Sequence, residues 1–95
     1  MKNRENPHIE FTSLFNKHRE SAPLDVKIAL REVLEIFAEN PNTDGLSNHS
    51  LDRLGKKYFG LWSIDITDDW RALYRKVDNR IIFTAFGTHE QLYSK

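Results

Sequence analysis

An α+β fold in the order β-α-α-β-β-β, with two helices on a mainly antiparallel sheet, is predicted by three features of the chain. Between Pro23 and Pro41 one stretch carries apolar residues at helical spacing; after Trp62 the apolar residues alternate at the two-residue period of half-buried strands; and a short alternating run precedes both. The 95 residues suit a single domain spanning 1–95, with one modest core and room for one active surface.

The elements follow in order. His8 to Thr12 alternates, with Ile9 and Phe11 pointing one way, and reads as a first strand. Thr12 or Ser13 can cap a short helix that places Leu14, Phe15 and His18 on adjoining turns until Ser21-Ala-Pro23 interrupts it. Pro23 is tolerated in a first helical turn, and Val26, Leu30, Val33, Leu34 and Phe37 then recur at spacings of three and four. Pro41 disfavours helical geometry at Asn40 and ends that helix. Residues 42–50 read as a polar connector too rich in turn formers to be an element, and Gly55 to Gly60 as a turn or irregular strand entry. Trp62, Ile64 and Ile66 alternate with Ser63, Asp65 and Thr67 in the next strand. Thr67-Asp-Asp69 reverses the chain into Trp70 to Val77, and Asp78-Asn79 reverses it again into Ile81 to Phe86. Thr88-His-Glu-Gln91 has the capping-box pattern, so a short C-terminal helical turn is expected.

Composition narrows the chemistry. With no cysteine, disulfides, thiolate nucleophiles and thiol-based zinc sites are excluded, and a reducing cytoplasm is the expected compartment. No stretch approaches the roughly 18 apolar residues of a membrane span, and the polar start has no signal-peptide core. Fourteen basic side chains balance fourteen acidic ones, so total charge does not favour a polyanionic partner. The distribution is uneven: residues 1–50 hold six basic and eight acidic side chains, and residues 51–80 seven and five, net −2 against +2.

Three motifs in order, Asn48-His-Ser-Leu51, Trp62-Ser-Ile-Asp-Ile leading to Asp69-Trp-Arg-Ala-Leu-Tyr74, and Gly87-Thr-His-Glu-Gln-Leu-Tyr93, resemble the RelE/ParE superfamily of toxins, and within it the YafQ-like mRNA interferases. The likeness covers nearly the whole chain. It implies a RelE-like fold and a toxin that cleaves mRNA in the ribosomal A site and is neutralised by a cognate antitoxin protein. Contact with DNA would come only through that antitoxin, and no membrane partner is implied. His89 matches the YafQ-like histidine of the Gly-Thr-His turn, Asp69 the acidic residue before the strand tryptophan, His49 the upstream histidine and Tyr93 a terminal aromatic. Arg71 occupies a slot that is apolar in some YafQ-like toxins but holds a phosphate-contacting arginine in RelE-like ones. Asp65 stands where the YafQ-like pattern has a second histidine, a departure that brings negative charge toward a phosphate site. Near-neutral net charge is the other departure, since ribosome-directed relatives are mostly strongly basic.

RNA carries its own nucleophile, the 2′-hydroxyl, so cleavage needs only removal of that proton, stabilisation of the phosphorane charge and protonation of the leaving 5′-oxygen. Neither a metal nor another cofactor is required. Asp69 or His49 would take the first proton, Arg71 would grip the scissile phosphate, His89 would protonate the leaving oxygen, and Tyr93 would stack or orient. Lys56, Lys57 and Tyr58, with Arg75 and Trp70, are further candidate RNA contacts, because cations beside aromatics suit a single strand. Each residue also has a structural reading: His89 as the start of a capped turn, Asp69 as a turn former, Arg71 as an ion-pair partner of Asp65 or Asp69, Trp62 and Trp70 as core, and His8 and His18 as parts of their elements. Two other functions fit the same resemblance. One is a ParE-like gyrase-directed toxin, for which a closing histidine and aromatic are not expected; the other is a catalytically silent, antitoxin-binding relative.

Overall fold

The structure is a computed structural model that describes residues 8–39 and 48–93. Strand β1 (His8–Phe11) leads into helices α1 (Ser13–Ser21) and α2 (Leu24–Glu39); strands β2 (Asn48–Ser50), β3 (Trp62–Asp65), β4 (Trp70–Val77) and β5 (Arg80–Thr88) follow, then a one-turn helix α3 (His89–Tyr93). The strands form one sheet in the order β1-β5-β4-β3-β2, with β1 parallel to β5 and every other pair antiparallel. The expected α+β architecture is therefore present, with one strand more than predicted. Asn48–Ser50 pairs with Trp62–Ile64, although its three polar residues carry no alternation. The rest of the expected connector, residues 42–47, lies outside the described residues.

Local chemistry accounts for the helix and strand ends. Thr12 caps α1, its hydroxyl accepting from the Phe15 amide at 3.1 Å. Asp78 adopts a φ of 55° in the two-residue turn joining β4 to β5, where the tight hairpin demands left-handed backbone that Asp tolerates better than most residues. Between β2 and β3 the chain makes two short 3-10 turns, Asp52–Leu54 and Lys56–Tyr58, joined by Gly55 at φ 115°.

Alternation along the strands sorts side chains onto two faces. Ile64, Ala72, Tyr74, Phe83 and Phe86 meet Phe15, Leu30 and Phe37 of the helices in the main core. Leu73 points the other way and joins Leu51, Leu61, Tyr58, Leu92 and Tyr93 in a smaller second cluster. The two-layer expectation is thus incomplete, because the 51–61 segment and α3 cover part of the second face. The register shift at Leu73/Tyr74 leaves Thr84 as an extra residue in β5, which lets Phe83 and Phe86, three positions apart, both face the main core. His18 has a structural task, its Nδ1 accepting from the Phe86 amide at 3.1 Å. At the sheet's outer edge the Arg80 fork donates twice to Glu10, at 2.9 and 3.0 Å, and this hydrogen bonding holds the Glu10 carboxyl below the ordinary carboxylate range. Burial pushes the Tyr74 hydroxyl up to about 12.

Phe83 is fully buried, with the rings of Phe11, Phe15, Phe37 and Tyr74 between 5.3 and 5.6 Å from its own. Phe83→Ala is expected to destabilise the fold by about 3–5 kcal/mol, since so many partners cannot all collapse into the void. Urea unfolding followed by circular dichroism would measure it, and a loss under about 1 kcal/mol would refute this account of the core.

Candidate active site

The end of β5 begins the site. Gly87 is buried against α3, and a Cβ there would come within 2.9 Å of the Gln91 side-chain oxygen, so a side chain at this position would push Gln91 out of its capping position. The capping box closes both ways: the Gln91 amide donates to the Thr88 hydroxyl at 3.1 Å, and the Thr88 amide donates to Gln91 Oε1 at 3.0 Å. His89, the first helical residue, donates its backbone N–H to the Asp69 carbonyl at 2.9 Å, which ties α3 to the β3–β4 turn. The same register sets Arg71 opposite Gly87 and, across the other ladder, opposite Asp65.

These pairings build a cleft of about 280 Å³ on the sheet face away from α1 and α2. Ser63 and Asp65 of β3, Arg71 of β4, and His89 and Tyr93 of α3 supply its polar lining, and Leu51 and Leu54 its apolar wall. Arg71 is held from two sides. Its Nε lies 2.9 Å from Asp65 Oδ1, and its Nη1 donates to the carbonyls of Thr67, Asp68 and Trp70 at 3.0 to 3.2 Å. Of the two carboxylates offered by the sequence as its partner, the structure selects Asp65, because residues opposite each other in an antiparallel pair share a face. Tyr93 donates to the buried Ser63 hydroxyl at 3.2 Å and places its ring 4.6 Å from the His89 ring, inclined at 59°. An exposed imidazole thereby lies against an anchored aromatic, on the same cleft as a fixed guanidinium.

The remaining candidates are distributed unevenly. Asp69 is exposed at the rim and contributes its backbone carbonyl to His89, but its side chain does not line the cleft. The backbone of His49 lies in β2 opposite Ser63; its side chain is outside the described residues. Trp70 does not border the cleft: strand alternation turns it to the helical face, where its ring sits 5.1 Å from Phe86, so direct RNA contact in this cleft is not available to it. Tyr58 is half-buried, its ring 5.8 Å from Tyr93 and its hydroxyl donating to the Leu92 carbonyl at 3.4 Å, so it buttresses α3. Lys56 and Lys57 are exposed beside it, and Arg75 is exposed farther along β4, donating to the Phe59 carbonyl at 3.3 Å. Ser63, Leu51 and Leu54 were not anticipated as site residues. The β3 alternation that set Ser63 and Asp65 opposite to Ile64 was the signal for the first of them.

A larger groove of about 500 Å³ runs beside α1 and α2, with Leu24, Ile28 and Leu34 in its walls, but it contains no histidine or tyrosine and is remote from this chemistry. Among the described residues no group of three or more His, Asp or Glu could hold a metal ion, and no helix is long and apolar enough to cross a membrane.

No protein-family model and no curated protein sequence matches the chain. Solved structures do. YafQ from E. coli strain BL21(DE3) superposes with a TM-score of 0.75 at 22% identity, over 93% of this chain and 99% of that one. The toxin-antitoxin complex DinJ-YafQ of E. coli gives 0.75 at 20% identity, over 95% and 100% of the two chains. The RelB-RelE antitoxin-toxin complex from Methanococcus jannaschii gives 0.69 at 17% identity, over 88% and 94%. The fold of this chain is that of the RelE/YafQ-like toxins, as its three motifs implied.

Proposed function

We propose that this chain is the toxin of a toxin-antitoxin pair and that it cleaves mRNA in the ribosomal A site without a metal. The observation that carries the reading is the cleft itself, which gathers Arg71 of β4 with His89 and Tyr93 of α3 onto one open sheet face. The toxin fold shared with YafQ and RelE supports it.

In the proposed reaction His49, whose strand position lies opposite the cleft residue Ser63, accepts the 2′-hydroxyl proton, and the 2′-oxygen attacks the adjacent phosphorus. Arg71 stabilises the charge that collects on the phosphorane oxygens, the bond to the 5′-oxygen breaks, and His89 protonates that oxygen as it leaves. The products are a 2′,3′-cyclic phosphate and a free 5′-hydroxyl. Asp65 keeps the Arg71 guanidinium at one address through the 2.9 Å ion pair, and Tyr93 presents the His89 ring. Positioning of this kind is a large part of catalysis when the substrate supplies its own nucleophile.

Mapping 5′ ends of mRNA in a translating extract tests the proposal. New 5′-hydroxyl ends confined to ribosome-bound message are expected with the wild-type chain. No new ends, with supercoiling by purified gyrase inhibited instead, would favour the ParE-like reading; no ends with intact binding of a partner protein would favour a silent relative.

A further inference from the structure

We propose that Phe59, flanked by Lys56, Lys57 and Arg75, is a stacking shelf for an unpaired nucleobase of the RNA strand whose scissile phosphate reaches Arg71; this rests on the RNA-cleaving reading of the cleft. Phe59 is 68% exposed, whereas its neighbour Tyr58 is turned inward against Tyr93. The ring is carried on a fixed support. The Phe59 amide donates to the Lys56 carbonyl at 3.1 Å, its carbonyl accepts from Arg75 Nη1 at 3.3 Å, and the next amide, that of Gly60, donates to Asp52 Oδ1 at 2.8 Å. Gly60, at φ 82°, makes this turn, and a Cβ there would meet the Arg75 guanidinium at 3.0 Å.

Three exposed cations therefore share this turn with one exposed aromatic: Lys56 and Arg75 are bonded to the Phe59 backbone, Lys57 Nζ lies 5.5 Å from the neighbouring Tyr58 ring, and Asp52 is the carboxylate bound into the same turn. Base stacking combined with cations that track phosphates is the sequence-tolerant way to hold single-stranded nucleic acid. Arg71, Leu73 and Arg75 alternate onto one face of β4, and Leu73 belongs to the cluster containing Tyr58 and Tyr93, so the shelf and the cleft share that face. The two arginines are four strand positions apart, roughly 13 Å, a span of a few nucleotides.

Fluorescence anisotropy of an end-labelled single-stranded RNA oligonucleotide, titrated with the full-length His89→Ala chain to prevent cutting, tests the shelf. Adding Phe59→Ala is expected to weaken binding at least fivefold, Phe59→Trp to restore it, and Lys56→Gln with Lys57→Gln to flatten the salt dependence. Equal affinity with and without the Phe59 ring overturns the proposal, as does absence of RNA binding. So does unchanged RNA affinity with weakened binding of the protein encoded next to this gene, which would make the patch a protein contact. End mapping with the wild type keeps the two readings apart. Cuts together with a silent Phe59→Ala sink the shelf alone, whereas no cuts with a weakened Phe59→Ala sink the nuclease alone.

Discussion

His89→Ala is expected to lower the rate of mRNA cleavage by about 10² to 10⁴, the range typical for loss of one positioned general acid. The leaving 5′-oxygen of RNA is an alkoxide in the making, and without a proton donor its departure is the hardest part of the reaction. His89 is suited to the task by position. It is exposed at the start of α3, its ring rests 4.6 Å from the Tyr93 ring, and it borders the same cleft as Arg71. The substitution should leave the fold intact, because the capping box uses Thr88 and Gln91, and the tie to Asp69 uses the backbone of residue 89. Single-turnover formation of 5′ ends in a translating extract gives the rate, and far-ultraviolet circular dichroism checks the fold. Cleavage within about threefold of wild type would remove His89 from the chemistry.

Why some of this could be read from the residues alone is a matter of range. The α2 helix is long, bounded by two prolines and strongly periodic, and the β3-β4-β5 meander alternates cleanly, so local pattern and tertiary packing agree there. Strand β2 escaped because three polar residues cannot display a period; Asn48–Ser50 is a strand only because β3 offers an edge to pair with. The same limit governs the site. Alternation could place Arg71 and Asp65 on polar faces, but choosing Asp65 over Asp69 as the ion-pair partner required the register Asp65 to Arg71, a non-local fact. Tyr58 and Phe59 are adjacent aromatics beside two lysines, indistinguishable by composition. The 3-10 turn at Lys56–Tyr58 decides that Tyr58 packs on Tyr93 and that Phe59 stays open. Trp70 carried both an RNA-contact and a core reading from sequence, and its packing on Phe86 on the helical face favours the second.

Arg71→Ala is expected to reduce cleavage by about 10² to 10³, the loss usual for one preorganised group aimed at developing charge. Preorganisation is what the geometry supplies: the Nη1 hydrogen bonds to three carbonyls and the Asp65 ion pair fix the guanidinium before any substrate arrives. The pair cuts both ways, since Asp65 aims the arginine yet places a carboxylate where a phosphate must come, and a phosphate oxygen must outcompete or join it. Removing Arg71 alone leaves that carboxylate in the cleft, so part of the measured loss would be repulsion and not the missing clamp. Asp65→Asn separates the two contributions. If Asp65 serves chiefly to aim Arg71, this variant loses activity although repulsion has been relieved; if it chiefly opposes phosphate, the variant gains. Arg71→Lys keeps the charge but not the planar fork, and should recover only a small part of the rate because one lysine ammonium cannot hold Asp65 and the three carbonyls in the same geometry. Cleavage by Arg71→Ala within about threefold of wild type would show that the guanidinium belongs to the sheet and not to the reaction.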